Sequence, residues 1–149
     1  MLAMKRGYAG LLQSYLKSFP CVALIGVRQC GKTTLLQTLP SIWRHFDLER
    51  RADHEVISRD PDAFLRLNPR QVAIDEAQVA PEIFAALRVA IDERRAEKGR
   101  FVITGSSSPA LLRSVSESLA GRVGVIEMAP FSWEEVTETT GRDSFLRRL

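Results

Sequence analysis

The sequence predicts an α/β fold in which helices cover both faces of a parallel sheet. Three observations point there. Cys21–Ile25 is a continuous apolar run, the pattern of a strand buried on both faces. A glycine-bounded loop and a helical pattern follow it directly. Further short apolar runs then alternate with segments of helical periodicity.

The elements can be justified in chain order. Leu11, Leu12, Tyr15, Leu16 and Phe19 recur at helical spacing until Pro20, so an amphipathic helix is expected over residues 1–19. After the apolar strand, a helix is expected from Lys32 to Leu39. Strands are expected around Trp43–Leu48, Gln71–Asp75, Arg100–Thr104 and Val123–Met128. Asp60 and Pro61 have the chemistry of an N-cap and first helical residue, and Asn68 and Pro69 end that helix. The longest helix is expected from about Glu82 to Lys98, with Ile83, Phe84, Leu87, Ala90 and Ile91 facing the sheet and Gly99 as its stop. Ser132 and Glu135 have capping-box spacing, and Phe145, Leu146 and Leu149 suggest the start of another amphipathic helix.

Bulk composition narrows the function classes. The 149 residues, 45% of them hydrophobic, suffice for one domain with its own core. A net charge of +3, from 21 Lys and Arg against 18 Asp and Glu, does not by itself indicate nucleic acid. No long apolar stretch or secretory leader is evident, so a cytoplasmic protein without a membrane segment is expected. Cys21 and Cys30 are too far apart along the chain to pair and are expected as free thiols. His45 and His54 are isolated, and no cysteine–histidine spacing suggests zinc. Trp43 and Trp133 are expected as packing residues. Two basic clusters, Arg94–Arg95–Lys98–Arg100 and Arg142–Arg147–Arg148, are expected as solvated surface.

The chemistry concentrates in two motifs. Gly26-Val27-Arg28-Gln29-Cys30-Gly31-Lys32-Thr33 fits G-x-x-x-x-G-K-[ST] between a strand and a helix. Backbone N–H groups of such a loop, continued by Thr34, cradle phosphates. Lys32 reaches the terminal phosphates, and the Thr33 hydroxyl ligates magnesium. Val72-Ala73-Ile74-Asp75-Glu76 is an apolar strand ending in two acids at the same sheet edge. Asp75 can hold magnesium, which prefers oxygen ligands, and Glu76 can deprotonate an attacking water. The second acid favours water over an alcohol as phosphoryl acceptor. The ligands read from these motifs are ATP and Mg2+, and the reaction is hydrolysis. In Phe101–Ser108 a third strand runs into hydroxyl groups, where Ser106 is the first candidate to sense the terminal phosphate and Thr104 the second. Ser108 before Pro109 reads as a helix N-cap. Cys30, beside Lys32, is weighed both as a redox-sensitive thiolate and as a neutral buried thiol.

Four stretches, GVRQCGKTT (26–34), AIDEAQ (73–78), VITGSS (102–107) and SLAGRVGVIEMAPFSWEE (118–135), resemble in order and spacing the prokaryotic AAA-type P-loop ATPases. In that family the ATPase domain precedes a C-terminal domain of uncharacterised function. The resemblance implies a three-layer P-loop NTPase core with a five-stranded parallel sheet in the order 5-1-4-3-2. The first two stretches are its Walker A and Walker B elements. Arg122 becomes a candidate arginine finger on ATP in its own or a neighbouring subunit, with a salt bridge at a strand entrance as the alternative. Arg28 and Gln29 fix the loop or contact phosphate. The expected organisation is a helix over 1–19, a nucleotide-binding core over 20–138, and at 139–149 a tail or the start of a missing C-terminal region. The expected function is ATP hydrolysis driving a conformational switch in an attached domain or protein partner, with a homo-oligomer open. The rival is a nucleotide-binding module that signals by occupancy, or a fragment of a larger ATPase. Asp75–Gln78 also resembles the acidic box of RNA helicases, but those need two such sheets and another loop pattern.

Overall fold

A computed structural model describes residues 2–28 and 30–129, with side chains from Gly7 onward. The expectations placed on Gln29, the Ser132–Glu135 capping box, Trp133, the C-terminal arginines and the tail lie outside the described residues. The elements run α1 (Leu2–Ser18), β1 (Cys21–Gly26), α2 (Lys32–Leu36), β2 (Arg44–Asp47), α3 (Arg51–Arg59), α4 (Pro61–Leu67), β3 (Val72–Asp75), a 3-10 turn (Ala77–Val79), α5 (Glu82–Glu93), β4 (Phe101–Gly105), α6 (Pro109–Leu119) and β5 (Val123–Met128).

The five strands form one sheet in the order β2-β3-β4-β1-β5, and every neighbouring pair is parallel. This is the expected order, read from its other edge. Burial follows sheet position. Residues of the inner strands β1, β3 and β4 are buried throughout, whereas the edge strands β2 and β5 carry exposed or half-buried residues. Alternate side chains of β1 enter opposite cores. Cys21, Ala23 and Ile25 pack with α3–α6, while Val22 and Leu24 pack with Tyr8 and Leu12 of α1 and Leu35 and Leu36 of α2. Two cores around one sheet give the three layers.

Local chemistry sets several boundaries. Asp60 accepts from the Ala63 N–H at 3.0 Å and Ser108 from the Leu111 N–H at 3.1 Å, so both expected N-caps are made. α2 ends at Leu36 and continues only as tight turns to Leu39, shorter than expected.

The expectation for α5 is corrected. It stops at Glu93, not Lys98, and the longest helix is α1, with 17 residues. Arg100 supplies the reason, because its guanidinium donates to Ala90 O at 2.8 Å and Pro69 O at 2.9 Å, closing the last turn of α5 from outside the helix. Gly99 is therefore not the stop. Its φ of +63° and the closeness of Leu16 O, which a Cβ would approach to 2.9 Å, show a backbone crossing against α1.

Arg100 also leaves the solvated cluster in which it was expected. It is 3% exposed, ion-pairs with Glu97 at 3.6 Å and lies 4.7 Å from the centre of the Phe101 ring. Burial pulls its guanidinium below its ordinary value, partly offset by Glu97. Replacing Arg100 by Leu leaves two carbonyls without their donor. The expected loss is about 2–4 kcal/mol, read as a lower urea midpoint at unchanged slope.

Candidate functional site

The parallel sheet brings the C-terminal ends of β1, β3 and β4 to one edge, and both motifs meet there. β1 ends at Gly26, where a Cβ would lie 2.6 Å from Cys30 Sγ and 2.8 Å from Met128 O. Only glycine lets the loop fold this tightly against β5. Gly31, at φ 98°, turns the chain into α2.

Lys32 is 5% exposed. Its ammonium donates to Gly26 O at 2.7 Å and Val27 O at 2.9 Å and stands 3.9 Å from Cys30 Sγ. The cation thus fills the mouth of its own loop, held by carbonyls. Thr33 Oγ1 donates to Asp75 Oδ2 at 2.9 Å, which ties α2 to the end of β3. The other oxygen, Asp75 Oδ1, accepts a short hydrogen bond from Thr104 Oγ1 of β4. Thr104 in turn accepts from the Glu76 N–H at 3.0 Å. Glu76 sits in the left-handed region, φ 58°, a conformation unusual for a residue with a side chain. That turn aims its N–H at Thr104 and leaves its side chain on a cleft of about 330 Å³ lined by Arg28, Gly31, Lys32, Thr33, Thr34 and Glu76.

The structure therefore assembles Arg28, Gly31, Lys32, Thr33, Thr34 and Glu76 around one cleft, and Asp75 joins it through its bond from Thr33. Arg28 reaches across to Glu49 Oε2, 3.2 Å away, in an exposed pair. Glu49 carried no signal in the sequence beyond its charge. From β4 it is Thr104, 1% exposed, that bonds into the acidic pair. Ser106, the first candidate, lies one residue past the strand end, and its carbonyl accepts from the Ser108 N–H at 2.7 Å. The missed neighbour is Gln78, whose Nε2 donates to Glu76 Oε2 at 2.5 Å. Its spacing, two residues after Glu76, was visible within AIDEAQ.

Arg122 requires a correction. It immediately precedes β5, whose first residue pairs with Cys21, the first residue of β1. It lies at the opposite end of the sheet from the phosphate loop, a six-residue strand or about 20 Å away. It cannot act as a finger on the cleft of its own chain. Instead it makes a two-point bond to Asp92 of α5, Nε to Oδ1 at 2.7 Å and Nη2 to Oδ2 at 2.9 Å, and a further bond to Ala120 O. The bond from Arg122 holds the Asp92 carboxyl below its usual range and raises the guanidinium. The pair is thus complete at neutral pH and is lost as acid protonates Asp92.

Both cysteines are free and buried. Burial pushes the Cys21 thiol up to about 12, against a smaller opposing effect of Arg100, which makes it inert. Cys30 lies under the loop at 1% exposure, the setting of the buried-thiol alternative. Trp43 packs with Leu36 and Leu39 as expected. Among the described residues no group of His, Cys, Asp and Glu forms a ready metal cluster, and no helix is long and apolar enough to cross a membrane.

Comparison with known proteins agrees with this geometry. A family model described as an AAA domain matches residues 18–137. Uncharacterized proteins of Mycobacterium tuberculosis and Mycobacterium bovis are each 38% identical over 149 residues, covering 99% of this chain and 33% of the relative. The chain thus spans about a third of the length of these curated relatives. A Walker-type ATPase of Pyrococcus abyssi has the same fold, with a TM-score of 0.63 at 18% identity, over 95% of this chain and 59% of that one.

The Thr104 bridge yields a stability test. Thr104→Val keeps the shape but leaves the Glu76 N–H and Asp75 Oδ1 without their shared partner. The expected cost is about 1–3 kcal/mol in chemical denaturation, with Thr104→Ser recovering most of it.

Proposed function

The chain belongs to the AAA domain family and forms its P-loop ATPase core. From that premise we propose that it binds ATP with magnesium and hydrolyses it to ADP and phosphate. The observation that carries the proposal is the meeting of Thr33 Oγ1 and Asp75 Oδ2 at 2.9 Å beside Lys32. Two hard oxygen donors from α2 and β3 converge where the loop would present phosphates, which fits magnesium in both chemistry and placement.

The roles follow from position. N–H groups of residues 26–34 receive the phosphates, and Lys32 exchanges its bonds to Gly26 O and Val27 O for phosphate oxygens. Magnesium, when bound, supplies charge neutralisation, with Thr33 and Asp75 as the residues that would hold it. Glu76 takes the proton of a water whose oxygen attacks the γ-phosphorus. The electron pair of the broken P–O bond leaves with ADP. Thr104 fixes Asp75 and the Glu76 backbone together, and Ser106 remains near enough along the chain to contact the terminal phosphate.

In the wider protein, residues 20–138 act as the nucleotide-binding core, and residues 139–149 lead toward a further region that the hydrolysis cycle moves. A cytoplasmic setting suits two free thiols. Arg122 serves another subunit's ATP only in a homo-oligomer that first breaks its bond to Asp92. An occupancy-signalling module would use the same loop but gives Glu76 no task.

Fluorescent ATP titrated into the chain with magnesium, alongside phosphate release, tests the proposal. Lys32→Ala should weaken binding by about 10- to 100-fold, the worth of a charged hydrogen bond. Glu76→Gln should retain binding and lower phosphate release by about 10²- to 10⁴-fold. Tight binding with no release by the parent chain would favour the occupancy module, and no binding by folded protein would overturn both.

A further inference from the structure

Gln78 carries the one buried side-chain polar atom without a hydrogen-bond partner among the described residues, its amide oxygen Oε1. The other end of that amide donates to Glu76 Oε2 at 2.5 Å. Which end faces Glu76 is decided by chemistry. An ionised carboxylate only accepts, so a reversed amide would set oxygen against oxygen. The amide oxygen is thereby turned toward Gly105 at the end of β4, where an added Cβ would come within 2.7 Å of it.

Leaving a buried carbonyl unpaired is destabilising. An apolar side chain of the same length would fill the space without that cost, so packing does not account for glutamine here. What the carboxamide adds is a single directed donor on one oxygen of Glu76. The Glu76 backbone is already fixed, by its left-handed turn and by its N–H bond to Thr104. Gln78 removes the remaining freedom, which is rotation of the carboxylate on its stem.

We propose that Gln78 is the positioning residue for Glu76. By holding Oε2 it leaves Glu76 Oε1 as the oxygen that accepts the water's proton. Gln78 acts through Glu76 and does not touch the nucleotide. The inference rests on the ATPase reading and assigns the control of its base. Gly105 accommodates this amide, since a Cβ there would collide with Leu111 Cδ2 and meet the Gln78 amide oxygen at 2.7 Å.

The test is Gln78→Met, which keeps the length and removes both the donor and the unpaired carbonyl. The expected result is separation of the readouts. The thermal midpoint is unchanged or higher, ATP affinity stays within about twofold, and kcat falls by about 10- to 100-fold, the effect of a slightly misplaced catalytic group. In the double variant Gln78→Met with Glu76→Gln, no further loss beyond Glu76→Gln is expected, because the two residues act in series. A kcat within twofold of the parent overturns the inference. So does a loss of kcat that tracks lost stability or lost ATP affinity, or a full additional loss in the double variant. Parent protein that binds ATP without releasing phosphate instead overturns the ATPase reading, and this inference falls with it. Parent turnover unaffected by Gln78→Met overturns the inference alone.

Discussion

The Asp75 carboxylate is the joint on which the nucleotide edge depends. One oxygen takes the Thr33 hydroxyl from the start of α2, and the other takes the Thr104 hydroxyl from β4. With 7% of its surface exposed, Asp75 sits where an unpaired charge would be costly, and the two hydroxyls make its burial tolerable. The same carboxylate consequently fixes three elements relative to one another: the phosphate loop through α2, the acidic turn through β3, and the neighbouring strand through Thr104. A group that holds an edge together by accepting two hydrogen bonds also presents oxygens that a cation can claim. Structural role and candidate chemical role therefore compete for the same lone pairs, and binding at this edge must rearrange the joint.

Placing β4 between β1 and β3 makes that joint possible. If β1 and β3 were adjacent, Thr104 would not lie between the loop and the acids. The inserted strand gives the acidic turn a lateral support, and the left-handed backbone at Glu76 depends on it, because the Glu76 N–H has Thr104 as its partner. The conformation is unfavourable by about 1 kcal/mol or more for a residue with a Cβ. Such strain persists only where surrounding contacts determine it, which here are β3, β4 and the 3-10 turn.

What the sequence made legible were features written in adjacent residues. The β1 apolar run, the strand that ends at Asp75 and the caps at Asp60 and Ser108 each depend on a few consecutive positions, and each formed as expected. Strand order was not legible in that way. Nothing local in Phe101–Gly105 tells it to lie between β1 and β3, and only the family resemblance supplied the order. The misjudged features were long-range. The end of α5 is set by Arg100, ten residues from the carbonyl it caps, and Arg122 was placed by motif without knowing which sheet end its strand starts from. Thr104 ranked behind Ser106, and nothing local in the sequence shows which of the two hydroxyls faces Asp75. In the fold it is the buried strand position that reaches Asp75.

Lys32 shows why these couplings bear on binding energy. Its ammonium makes two hydrogen bonds to loop carbonyls at 2.7 and 2.9 Å, so phosphate oxygens would have to replace existing partners rather than satisfy an idle charge. The net gain is the difference between an anionic and a neutral acceptor, smaller than the full strength of either bond. Such an exchange would release Gly26 O and Val27 O, and Gly26 is where the loop packs tightly against Cys30 and Met128. The loop thus touches the end of β5 at Gly26, while the Thr33–Asp75 bond links it to β3 and, through Thr104, to β4. Loop, acidic turn and edge strand form one mechanically connected rim, and a change at any of its hydrogen bonds must be accommodated by the others.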